Sequence, residues 1–151
     1  MYNSLRKKDK LKLNWLPILG FAVFYPMFTS IYALLPPLIG VVGLFIIYNM
    51  DKNRLNAFWG IIYLINLDFN AGLPLLLSFV VIMLIYMVIY PSAKLLINCN
   101  KCLAVFLIIS IDILYYTALF IYDFIFSLNT ITADATLIFY IIIDLMIGLL
   151  L

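Results

Sequence analysis

Of the 151 residues, 68% are hydrophobic and only 11% are charged, a composition well outside that of a soluble domain of this length. His and Glu are both absent, which disfavours nucleophilic triads and metal-assisted hydrolysis. The net charge of +2 says little by itself, and no nucleic-acid partner is expected.

In chain order, the apolar runs predict six spans, each needing about 20 residues if it is to cross a bilayer as a helix. The first is expected over residues 14–32, with a kink or short break at Pro26, which removes a backbone donor in mid-helix. It follows a basic stretch without a small-residue cleavage site and reads as an uncleaved signal anchor. Leu34, Leu35, Pro36 and Pro37 predict a turn. The second span, 38–50, is short, and Gly40 and Gly43 allow close helix contact within it. A tight turn at 51–54 leads to the third span, 55–69. Residues 70–74 form a Gly/Pro turn, and the fourth span, 75–90, is nearly featureless and faces lipid. Residues 91–101 are expected to be the longest connection on their side. The fifth span covers 102–126, a loop follows over 127–136, and the sixth span begins near 137.

The basic residues alternate with these spans. Arg6, Lys7, Lys8, Lys10 and Lys12 precede the first span, Lys52 and Arg54 follow the second, and Lys94 and Lys101 follow the fourth. The other connections carry none. Short loops rich in Lys and Arg stay inside, so the expected fold is all-α: a polytopic membrane protein with six transmembrane helices in one bundle and both termini inside. Residues 1–13 form a basic cytoplasmic tail whose charges favour an anionic membrane surface, and residues 14–151 form the transmembrane domain.

Asp68, Asp112 and Asp144 fall within spans, and Asp123 lies near an outer end. An ionisable group in hydrocarbon costs about 2.5–3.5 kcal/mol on insertion scales and turns toward protein or a wet cavity. No basic side chain within a span can pair with them. Asp112 and Asp144 are therefore expected as neutral hydrogen-bond donors in a polar clasp, with Tyr115, Tyr116, Tyr140, Thr117 and Asn66 as candidate partners. Cys99 and Cys102 form a single C-x-x-C without His or a second pair, so two reduced thiols are expected and no metal site.

From Pro37 onward the sequence reads LIGVVGLFIIYNM, the turn DKNR, LNAFWG ending at Gly60, IIYLINLD ending at Asp68, and FNAG ending at Gly72, followed by LPL. A span opened by Pro, a basic inner turn, then Gly followed by Asp and a nearby Gly resembles MreD, the small membrane subunit of the bacterial rod-shape system. The fifth span adds SIDILYYTALF around Asp112, similar to that family's Asp in an apolar run followed by aromatics. The family's Asp-Leu-x-x-Gly is here Asp68-Phe-Asn-Ala-Gly72, and its basic C-terminal tail is missing.

The resemblance implies a non-enzymatic scaffold in the bacterial inner membrane, which binds an MreC-like membrane protein and other elongation proteins and helps to organise peptidoglycan synthesis. It implies no cofactor. Asp68, Asn70, Gly72, Asp112 and Asp144 are the candidates for lining a pocket or a partner surface, and the basic residues at 6–12 for meeting the membrane surface. It further implies a fold similar to the substrate-binding subunits of energy-coupling-factor transporters, which makes a small-molecule transporter subunit the first alternative. The second is an intramembrane aspartyl peptidase: residues 122–138, YDFIFSLNTITADATLI, are similar to the end of lipoprotein signal peptidase. That family's Asn and Asp-Arg motif is absent, and its four spans disagree with six.

Overall fold

The computed structural model describes residues 17, 19–32, 35–52, 54–74, 76–127 and 135–150. The basic residues Arg6, Lys7, Lys8, Lys10 and Lys12, and Asp134 of the peptidase-like stretch, lie outside them. The described residues are all-helical, with helices α1 (Leu19–Ile31), α2 (Ile39–Lys52), α3 (Arg54–Asn70), α4 (Leu77–Leu96), α5 (Asn100–Phe126) and α6 (Ala135–Leu150). Two of them, α4 with 20 residues and α5 with 27, are long and apolar enough to cross a membrane.

Helix α2 is the hub of the packing. It lies against α3, α5 and α6, while α4 packs on α3 and α5. Ile39, Ile46 and Ile47 of α2, Leu64 of α3, Ile82 and Ile85 of α4, and Leu107, Ile108 and Ile111 of α5 are almost wholly enclosed. Two glycines bring α2 this close to its neighbours. A β-carbon on Gly43 would lie 2.9 Å from Ile111 Cδ1 and 3.2 Å from Ile82 Cδ1, and one on Gly60 of α3 would lie 2.5 Å from Ile46 Cγ1. Gly148 of α6 likewise leaves room for Ile108.

The prolines act differently from expectation. Helix α1 runs through Pro26 without a break. Proline has no N–H for the carbonyl four residues earlier. That carbonyl, on Ala22, instead accepts from Asn66 Nδ2 of α3 at 3.3 Å, and Val23 O accepts from the same amide at 2.9 Å. The gap in the α1 ladder thus becomes a tie between helices. Pro91 was expected to end the fourth span, yet the helix continues to Leu96. Over Ile85–Ile89 it widens to a π turn, in which Tyr90 N–H donates to Ile85 O. The wider turn makes room for a ring without an N–H. The long connection expected over 91–101 thereby shrinks to the stretch 97–99.

Candidate functional site: buried carboxylates at two helix starts

Helices α2 and α4 begin the same way. The residue before each is a leucine in the left-handed region, Leu38 at φ 51° and Leu76 at φ 75°. Such a conformation costs a non-glycine residue roughly 1–2 kcal/mol. The first turn of a helix also leaves backbone N–H groups without intrahelical partners. In both cases a carboxylate from another helix takes them.

At α4 the carboxylate is Asp68. The Ser78 hydroxyl donates to Asp68 Oδ1, Ser78 N–H donates to Asp68 Oδ2 at 3.2 Å, and Leu76 N–H also faces the group. Asp68 and Ser78 are both completely enclosed, with Tyr115 of α5 alongside. The backbone of Asp68 finishes α3 at the same time. Leu73 N–H donates to Asp68 O at 3.0 Å and Gly72 N–H to Phe69 O at 3.3 Å, with Gly72 at φ 67°. This is the Schellman pattern, in which a left-handed glycine stops the helix. Gly72 is exposed and lines no part of the Asp68 cage. Its role is conformational.

At α2 the carboxylate is Asp144 of α6. Gly40 N–H donates to Asp144 Oδ2 at 2.8 Å, and Val41 N–H faces it too. Asp112 of α5 meets the same point. A β-carbon on Gly40 would lie 2.8 Å from Asp112 Oδ1 and 2.9 Å from Asp144 Oδ2. The two carboxyl groups are within hydrogen-bonding reach of each other, and each residue is 3% exposed. Asp112 Oδ2 and Asp144 Oδ1 have no hydrogen-bond partner among the described residues. Tyr116 is within electrostatic range of both acids, with Tyr140 beyond it.

Sequence reasoning names Asp68, Asp112 and Asp144, and of their expected partners Tyr116 lies near Asp112 and Asp144 while Thr117 and Asn66 are engaged elsewhere. Asp144 and Asp68 accept hydrogen bonds from backbone N–H groups at helix starts, partners that the sequence reading did not include. The reason is that the positive end of a helix supplies what no basic side chain does. Thr117 Oγ1 donates to Ile113 O within its own helix, Asn66 serves α1, and Tyr115 neighbours Asp68 rather than Asp112. Asn70 donates to Asn66 O and Oδ1, both at 2.8 Å, and so holds the amide that ties α3 to α1. Above that tie lies a shallow apolar groove of about 370 Å³ between Val23, Ile62, Ile65, Asn66 and Phe69. Asp123 is buried near the end of α5, where its carbonyl accepts Ser127 N–H.

Ser78 and the Gly40 amide escape sequence reasoning. A serine in an apolar run and a backbone N–H carry no signal of their own. The carbonyls of the Pro36–Pro37 turn are also satisfied from afar, Pro36 O by Tyr25 OH at 2.9 Å and Pro37 O by Tyr63 OH at 2.6 Å.

Fold and site together define a class: a protein whose described residues are all-helical, with two helices long and apolar enough to cross a membrane and carboxylates buried where two helices begin. No family model, no curated protein and no solved structure matches the chain.

Proposed function

We propose that the chain is a six-span protein of the bacterial inner membrane with both termini inside, and that it is a non-enzymatic scaffold of the cell-shape machinery, resembling MreD. In this reading it holds a partner membrane protein, such as an MreC-like one, through helix–helix contacts. The observation that carries the reading is how the interior polar groups are employed. Asp68 and Asp144 organise helix starts, and so close the bundle on itself. The outward residues are apolar and bulky, among them Phe24, Phe28 and Ile31 of α1, Met87 and Val88 of α4, and Phe124 of α5. A helical partner in a bilayer needs such a surface, because packing rather than water expulsion drives association there.

Helices shorter than a bilayer are compatible with six spans when their ends are satisfied within protein, since only lipid-exposed backbone is forbidden. The end of α4 supports the orientation. Lys94 Nζ lies 5.6 Å from the centre of the Tyr90 ring, and Tyr86 stacks on Tyr90. Such a cluster suits an interface. A transporter subunit ranks lower. Ala22, the only Ala of the first helix, is 3% exposed and packs against the interior, leaving aromatics on the face that would dock.

One observation favours a second reading, an intramembrane aspartyl peptidase: Asp112 and Asp144 form a carboxyl pair. That is a different pair from the Asp123 and Asp134 suggested by the sequence stretch. Two variants, Asp68→Ala and Asp112→Ala, separate the readings. Under scaffolding, both reduce partner recovery from membranes and disturb cell shape. Preserved recovery and shape in both variants would refute scaffolding. Cleavage of a fluorogenic lipopeptide, lost in Asp112→Asn, would establish the peptidase.

A further inference from the structure

The loop between α4 and α5 carries chemistry that the scaffold reading does not use. Cys99 is the residue before α5, with extended backbone at φ −87° and ψ 117°, and its Sγ accepts the N–H of Cys102 at 3.3 Å. Both side chains are exposed and both are free thiols. Residues three apart at a helix start have α-carbons about 5 Å apart, inside the range of roughly 4.4–6.8 Å that a disulfide spans. The Cys102 N–H bond already holds the Cys99 sulfur over the helix turn that carries Cys102.

We propose that Cys99 and Cys102 form a dithiol exchange site that reacts with low-molecular-weight disulfides, Cys99 attacking and Cys102 resolving. The asymmetry comes from position. Cys99 sits at the positive end of a 27-residue helix and accepts a hydrogen bond there, which favours its thiolate. Hydrogen bonding from the Cys102 thiol and amide, with the charge of Lys101 adding to it, holds the Cys99 thiol below the usual thiol range. Cys102 lies one turn into the helix, where it donates its thiol hydrogen to Cys99.

The exchange balances without another reagent. The Cys99 thiolate attacks one sulfur of the disulfide, whose S–S bond breaks, and the leaving thiolate takes a proton from water. Cys102 then loses its proton to water and attacks the Cys99 sulfur. This forms the Cys99–Cys102 bond and releases the second thiol. The protein is oxidised by two electrons and the small disulfide is reduced to two thiols.

The test uses the full chain in detergent micelles with glutathione disulfide, read by intact mass. Wild type is expected to lose two hydrogens and to accumulate no adduct. Cys102→Ser is expected to trap one glutathione on Cys99. Cys99→Ser keeps a helix-capping side chain and is expected to label Cys102 about tenfold more slowly. Equal labelling rates in the two variants would overturn the proposal, as would wild type carrying stable adducts on both cysteines.

Discussion

Asp68 organises a whole turn with one residue. Its carbonyl closes α3 by accepting Leu73 N–H, and its carboxylate opens α4 by accepting from Ser78. Only the carboxylate is open to mutation. Asp68→Ala strands a buried hydroxyl and buried amides, each worth about 1–3 kcal/mol when unsatisfied. The loss expected in a detergent unfolding experiment is therefore about 3 kcal/mol. Ser78→Ala removes one hydrogen-bonded hydroxyl and is expected to cost about 1 kcal/mol. Equal and negligible losses would show that the cap carries no stability. At this scale the sequence was half legible. An aspartate in an apolar run declares itself because burying it is expensive. The N–H groups that receive it are backbone, present at every residue, and so nothing in the letters identifies them.

At the scale of elements, α2 is the clearest case. Its shortness was legible from Pro36 and Pro37 before it and the polar turn after it. Its central position follows from Gly40 and Gly43, which lack the atoms that would hold neighbours off. Gly40→Ala would press a methyl group onto Asp112 Oδ1, Ile108 Cγ2 and Asp144 Oδ2, all within 2.9 Å. Because Ile108 is fully buried, the expected loss is about 1–3 kcal/mol, the range of overpacked cores. Gly20→Ala, in α1, meets nothing within 4 Å, and the same exchange is expected to stabilise by about 0.5–1 kcal/mol through helix propensity. Opposite signs in one thermal-melt comparison support this packing, and equal signs argue against it. The continuation of α4 beyond Pro91 was not legible. A proline after an apolar run usually ends a helix, and the π turn that absorbs it depends on tertiary packing.

For the whole molecule, helices in series with α2 at the centre explain how Asp68, Asp112 and Asp144 stay inside without a basic side chain beside them. The helix starts supply the compensating dipoles. The apolar runs made the helices readable in the sequence, while the pairing of Asp112 with Asp144 required the chain to fold. Helices α5 and α6 bring the two acids to one point 32 positions apart in sequence, and spacing alone could not choose that pair over Asp123 and Asp134.

The role proposed for this bundle is to hold a membrane protein. Mild-detergent purification of the chain from its own membrane, with mass-spectrometric identification of what accompanies it, tests that claim most directly. The expected result is a membrane protein in stoichiometric amount, MreC-like in having a single anchor and an outer domain, and weakened in Asp112→Ala. Recovery of the chain alone, or with an ATPase module, would contradict it.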